Sequence, residues 1–244
     1  FHTLFWPAVL DGSGMRTPTS VFAHGFLTVN GKKMSKSRGT FIKARTYADN
    51  LDPSCLRYYY AAKLGPGMDD IDLNLDDFLA RVNSDLVGKL VNIASRCAGF
   101  ISKRFDGELA SELEDPALYA RFADASEEIA EHFERREYSK AIRAVMTLAD
   151  AANRYIDDKK PWVMVKDDAE AGAVQLVCTQ GLNMFRSLMV YLTPVVPTLA
   201  DNARELLAEE RWQWSAAGTP LLGTKINKFR PLLTRVEQAQ VDKM

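Results

Sequence analysis

The sequence predicts a mainly α-helical protein in which a small α/β piece leads into an antiparallel helical bundle. Three observations predict it. From Asn74 onward, apolar residues recur at steps of three and four through one stretch after another, the spacing that turns one stripe of a helix toward a core. Capping residues, alone or followed by Pro, stand at the head of several of these stretches. Short β-like runs broken by turn residues are confined to residues 1–45.

The elements follow in order. The opening run Leu4-Phe5-Trp6-Pro7-Ala8-Val9-Leu10 has no cap or lead-in, and Phe1 is not an initiator Met, so the chain is expected to be cut from a longer one. Residues 11–14 read as a loop, 21–23 as a short strand, and 26–29 as a second strand ending in the turn Asn30-Gly31. Asp52 as cap, Pro53 at the first helical position and the stop Gly65-Pro66-Gly67 predict a helix over 53–64, and the acidic run 69–72 reads as a linker. Asn74 then caps a long helix with Leu75, Phe78, Val82, Leu86, Leu90, Ile93, Cys97 and Ile101 on one face. Asp115-Pro116 starts the next, through Leu118, Phe122, Ala125, Ile129 and Phe133; further helices are predicted over 139–158 and 168–192, with a shorter one after Pro197. Residues 211–244 read as irregular, anchored by Trp212, Trp214 and Pro220-Leu221-Leu222. Short connections between long helices give a bundle. The expected division is 1–73, 74–210 and 211–244.

Composition limits the function. With 31 Lys plus Arg against 32 Asp plus Glu in 244 residues, there is no general case for nucleic-acid or membrane binding, so a polyanion site must be local. Cys55, Cys97 and Cys178 stand far apart with no Cys-x-x-Cys and no nearby His, which excludes a zinc site built on them and fits a reduced, cytoplasmic setting. No run approaches the roughly 18 apolar residues of a membrane span, and the first residues lack the charged start of a signal peptide.

A local site is present. Lys32, Lys33, Lys36, Arg38, Lys43 and Arg45 fall between Asn30 and Thr46 with no acidic residue among them, interleaved with Ser35, Ser37, Gly39 and Thr40. Lysines on flexible stems among hydroxyl donors suit a loop that wraps a polyphosphate. By charge alone this is more often a solvated basic loop. The letters Lys33-Met34-Ser35-Lys36-Ser37, however, match the second signature of the class I aminoacyl-tRNA synthetases, after a short strand and hairpin and before a helical region as in that family. The wider text, His24-Gly25-Phe26-Leu27-Thr28-Val29-Asn30-Gly31, Leu56-Arg57-Tyr58-Tyr59-Tyr60, 69–75 and the pattern Asn83, Asn92, Arg96, resembles bacterial methionyl-tRNA synthetases along essentially the whole chain.

That resemblance implies the C-terminal remnant of a Rossmann-type catalytic domain, carrying the signature loop, followed by an α-helical anticodon-binding domain. It implies L-methionine activation with ATP and Mg²⁺, and transfer to methionine tRNA, initiator included. Lys36 becomes the chief ATP contact and Lys33 its helper, with Met34, Ser35 and Ser37 completing the ATP-binding loop. Asn92, Arg96, Pro161 and Trp162 become the readers of the CAU anticodon. Asn92 and Arg96 lie four apart on one helix face, and a tryptophan plate can stack a base for about 1–3 kcal/mol. Taken without the resemblance, they are an exposed polar pair and an inter-helix packing ring. The first class I signature, His-x-Gly-His, does not occur in the chain, so the fragment alone is expected to form no adenylate, and any zinc is expected only upstream. Two alternatives stay open: a stand-alone helical tRNA-binding module, and a fragment of a leucine, isoleucine or valine synthetase. His2, His24 and His132 read as structural or solvated, at least one of Tyr58, Tyr59 and Tyr60 as core, and the acids of 69–77 as capping and dipole partners.

Overall fold

The computed structural model describes residues 2–35 and 41–244. The opening apolar run forms a helix, α1 (Phe5–Gly12), with Pro7 in its first turn, where a missing N–H is tolerated. None of its residues is buried, and Leu4, Phe5, Trp6 and Val9 face solvent. The loop expected at 11–14 therefore starts only after Gly12, and no strand forms at 21–23. Phe22 instead lies under the Arg136 guanidinium, 3.5 Å from its ring centroid.

Strand β1 (Leu27–Val29) turns back into β2 (Lys32–Lys33) through Asn30 and Gly31, whose φ values of 47° and 72° are those of a two-residue hairpin turn. After α2 (Ala44–Asn50) and α3 (Pro53–Lys63) comes β3 (Ile71–Leu73), giving the sheet order β2-β1-β3 with β1 and β3 parallel. The acidic run is thus partly a strand rather than a linker. A Cβ at Gly25 would lie 2.2 Å from the Asp69 carbonyl oxygen, so only glycine permits the approach. Asp70 accepts from Phe26 N at 2.7 Å, and Asp72 Oδ1 accepts from Thr28 Oγ1 at 2.7 Å and Gly31 N at 2.8 Å. Helix α2, which no sequence signal announces, buries Tyr47 edge-on to Phe78. Asp52 caps α3 as expected, accepting from Ser54 N at 2.7 Å.

Asn74 caps the long helix by accepting from Asp77 N at 2.8 Å. That helix runs as α4 (Leu75–Arg81), a π-helical segment (Val82–Val91) and α5 (Asn92–Arg104). Its stripe of Phe78, Val82, Leu86, Leu90, Ile93, Cys97 and Ile101 is fully buried. Each such aliphatic or aromatic side chain contributes about 1.5–3 kcal/mol by leaving water. The bundle continues with α6 (Pro116–Glu134), capped by Asp115, then α7 (Tyr138–Lys159), the single turn α8 (Pro161–Met164), and α9 (Ala171–Leu192) after a 3₁₀ turn. α10 (Pro197–Leu207) and the short α11 (Gln238–Val241) complete it.

Helix α9 is buried on every side from Val177 to Leu192, and its polar residues are matched. Arg186, 6% exposed, forks onto Glu209 at 2.6 and 2.7 Å and donates to the carbonyls of Ala216 and Thr219. The tail carries a 3₁₀ turn (Trp214–Gly218) and α11 between irregular stretches, and it is held by polar clasps as well as by its tryptophans. Trp212 is buried with its indole N–H on Glu209, and Asn83 exchanges two bonds with the backbone of Val236 at 2.8 and 2.9 Å.

Candidate functional site

One group of predicted residues lies at the start of the long helix and the other along its second half. The first is the basic loop. Thr28 pairs with Lys33 and Val29 with Lys32 across the hairpin, so both lysines stand on an edge strand, exposed. Lys33 Nζ lies 5.6 Å from the Phe26 ring centroid. Met34 and Ser35 are half-buried, Met34 against the core. Lys36 and Ser37 lie outside the described residues. The turn that aims the loop is fastened by Asp72, as above, and by Asn30, whose Oδ1 accepts from Leu75 N at 3.0 Å.

The second group is brought together. Lys160 takes the left-handed conformation (φ 54°, ψ 59°), which breaks α7 from α8 and sets Pro161, buried, and Trp162, 37% exposed, beside α5. The Arg96 guanidinium carbon sits 4.4 Å from the Trp162 ring centroid, and its other side is ion-paired to Asp157. Asn92, one turn back, donates to Asn153 Oδ1 at 3.3 Å, and Asn153 is itself anchored on the carbonyls of Lys89 (3.1 Å) and Ala149 (2.9 Å). An amide, a guanidinium and a half-exposed indole thus share one surface, held by α7. A guanidinium and an aromatic plate are the two planar groups on which an unstacked base packs.

The remaining candidates separate. Tyr58 and Tyr59 are fully buried, with their hydroxyls 2.9 Å from Asp85 and 3.0 Å from Asp77, so they are core. His132 is not merely solvated: it is half-buried, with Nδ1 2.9 Å from Glu137 Oε2 and Nε2 3.6 Å from Glu128. His24 is exposed, its ring 2.8 Å from the Gly25 carbonyl. Burial pushes the Cys55 thiol up to about 12, which makes it a poor nucleophile. Among the described residues no group of three or more His, Cys, Asp or Glu is placed to hold a metal, and no helix is long and apolar enough to cross a membrane.

Residues 1–98 match the family of class I tRNA synthetases of the methionine type. Residues 106–229, more than half of the chain, match the anticodon binding domain of methionyl tRNA ligase. The chain belongs to the methionyl-tRNA synthetase family. The leucine, isoleucine and valine alternative falls with that match. Among solved structures, the Mycobacterium tuberculosis methionyl-tRNA synthetase in complex with methionyl-adenylate is 27% identical over 95% of this chain, with a TM-score of 0.81. A second structure of that enzyme bound to methionyl-adenylate is 27% identical with a TM-score of 0.80, and its apo form, at 24% identity and 0.79, shares the fold. This chain spans 47% of the length of the first of these, about half a methionyl-tRNA synthetase.

Sequence reasoning missed Asn153 and Asp157, the residues that hold Asn92 and Arg96 in place. Their spacing of four on α7 mirrors that of Asn92 and Arg96 on α5, and two polar pairs in matching phase on neighbouring helices of a synthetase bundle would have been the signal. It also missed Asp72 as the fastening of the loop, because that role depends on a partner 41 residues away in sequence.

Proposed function

We propose that the chain supplies two working parts of a methionyl-tRNA synthetase: the loop that steadies the pyrophosphate leaving ATP, and the surface that reads the CAU anticodon of methionine tRNA. The observation that carries this reading is the Arg96 guanidinium stacked at 4.4 Å on a partly exposed Trp162, with Asn92 and Pro161 beside it. The division into residues 1–73 for the catalytic remnant and stem, 74–210 for the anticodon domain and 211–244 for the packing tail is part of the same proposal.

In the activation step, a carboxylate oxygen of L-methionine attacks the α-phosphorus of ATP, the bond to pyrophosphate breaks, and methionyl-adenylate forms. Negative charge grows on the leaving oxygens. Lys36, helped by Lys33, meets that charge, while Met34, Ser35 and Ser37 shape the loop and donate hydrogen bonds. Mg²⁺ enters on the phosphates of ATP; zinc is assigned to the upstream part of the parent enzyme, and this chain alone is not expected to be active. The methionyl group then passes to the terminal ribose of elongator or initiator methionine tRNA. On the second surface, an unstacked anticodon base lies against Trp162 with its polar edge toward Arg96 and Asn92.

The test of the loop is Lys36→Ala in the intact enzyme. Losing one preorganised donor to a developing charge costs ~10²–10³ in rate, so ATP–pyrophosphate exchange should fall by that factor while tRNA binding holds. Unchanged exchange refutes the assignment.

A further inference from the structure

We infer that the groove between α5 and residues 225–229 is a second subsite for single-stranded RNA, taking a nucleotide of the anticodon loop next to the base held at Arg96 and Trp162. This rests on the anticodon reading and extends it. The groove holds about 620 Å³, within the range of small-ligand sites, and is lined by Ser95, Gly99, Ser102 and Lys103 on one side and Lys228 and Phe229 on the other.

Its floor is open helix backbone. Gly99 sits inside α5, where glycine is the least favourable helix residue after proline, yet a Cβ built there would meet nothing within 4 Å. No packing among the described residues calls for a glycine at that position. A molecule that must approach the helix backbone closely would. One turn on, Ser102 also lines the groove, and its enclosed hydroxyl has no hydrogen-bond partner among the described residues.

Charge points to a phosphodiester. At the end of the groove Asp106 is neutralised by Lys225 at 2.5 Å, and Arg104 is taken up by Asp168 and the Val165 carbonyl. Lys103 and Lys228, both exposed, make no ion pair with any described residue. The far wall is rigid: Ile226 N donates to Gly107 O at 2.9 Å, and Asn227 is fixed to Leu206 and Glu205. Helical phase places Asn92, Arg96, Gly99 and Lys103 on one outward crest of α5, so the groove and the Trp162 surface flank the same ridge and one strand can reach both.

The test measures binding of the 244-residue chain to a labelled CAU anticodon stem-loop over a salt series. Gly99→Leu should plug the groove and lower affinity about tenfold or more, with thermal stability unchanged or raised. Lys103→Ala with Lys228→Ala should reduce the slope of log K against log salt by about 0.7 for each phosphate no longer neutralised. These lysines are exposed, so that slope decides the matter even if Gly99→Leu unfolds. Wild-type affinity in Gly99→Leu together with an unchanged slope overturns the subsite, while sensitivity to Trp162→Ala in the same assay leaves the anticodon reading standing. Insensitivity to all three changes overturns both.

Discussion

Trp162→Ala is the sharpest test of the proposed anticodon surface because structure separates its effect on RNA from its effect on folding. The ring is 37% exposed, and its charged partner is Arg96, which remains held by Asp157 when the ring is gone. A cation–π contact at a partly exposed site is worth about 0.5–1 kcal/mol, so the melting temperature should fall by only a few degrees. Base stacking on an aromatic side chain is worth about 1–3 kcal/mol, which converts to a roughly 5- to 150-fold loss of affinity for the CAU stem-loop. Fluorescence anisotropy at one fixed salt concentration measures it, because phosphate contacts alone vary steeply with salt. Against a stem-loop with one anticodon base changed, wild-type protein should bind more weakly and the variant should discriminate less. Affinity within twofold of wild type, or a loss that merely follows unfolding, would mean that no base stacks on this ring.

Other outcomes follow from neighbouring contacts. Asp157→Asn should leave Arg96 on Trp162 without its orienting charge, so affinities for the matched and mismatched stem-loops converge in the same assay; an unchanged ratio would mean that Asp157 does not orient the guanidinium. Arg186→Ala strips one partner from a buried, fully bonded pair, a change that costs about 3–5 kcal/mol, and thermal denaturation should register a drop of roughly 6–20 °C. The hydrogen bond from Lys63 holds the Asp77 carboxyl below its usual range, so its stabilisation is present above the ordinary value of about 3.9 and is lost as pH falls through the lower folded value. Asp77→Asn should therefore lower stability in the neutral region, where the charged carboxylate contributes, and flatten the acid limb below about pH 4, so that the variant and wild-type curves converge at low pH in urea titrations.

What was legible in the sequence was whatever is encoded locally. Asp52, Asn74 and Asp115 cap the helices they announce, and the step of three and four residues marked the buried stripe. Asn30-Gly31 gave the hairpin that mounts the basic loop. What was not legible depended on partners distant in the chain. Strand β3 carries Asp72 at its centre and lacks β-branched residues apart from Ile71; it is a strand because β1, more than 40 residues earlier, lies parallel to it and Thr28 donates to the Asp72 carboxylate. Helix α1 was missed for the opposite reason, since it has neither cap nor buried face to mark it. At the candidate site, the residue types on α5 and at the α7–α8 break were readable, but the assignment of Asp157 to Arg96 and of Asn153 to Asn92 required the helices to be packed.

Along the long helix, Phe78, Val82, Leu86 and Leu90 follow one another at steps of four, and in a uniform α-helix each such step slips by about 40°, which would swing Leu90 away from the core. The widened π turns over Val82–Val91 take up that slip, and all four side chains are fully buried. Burial of four large apolar groups, at about 1.5–3 kcal/mol each, outweighs the poorer hydrogen-bond geometry of the π segment. Asn83 fastens the same stretch to Val236, so the irregularity is held from outside as well as from within. Since the helix begins at the Asn30–Leu75 contact behind the hairpin and carries Asn92 and Arg96 beyond the π segment, that segment sets the rotational phase between the hairpin and the Arg96 surface. The direction in which Arg96 meets Trp162 is therefore decided by apolar spacing two turns earlier, among residues that touch neither surface.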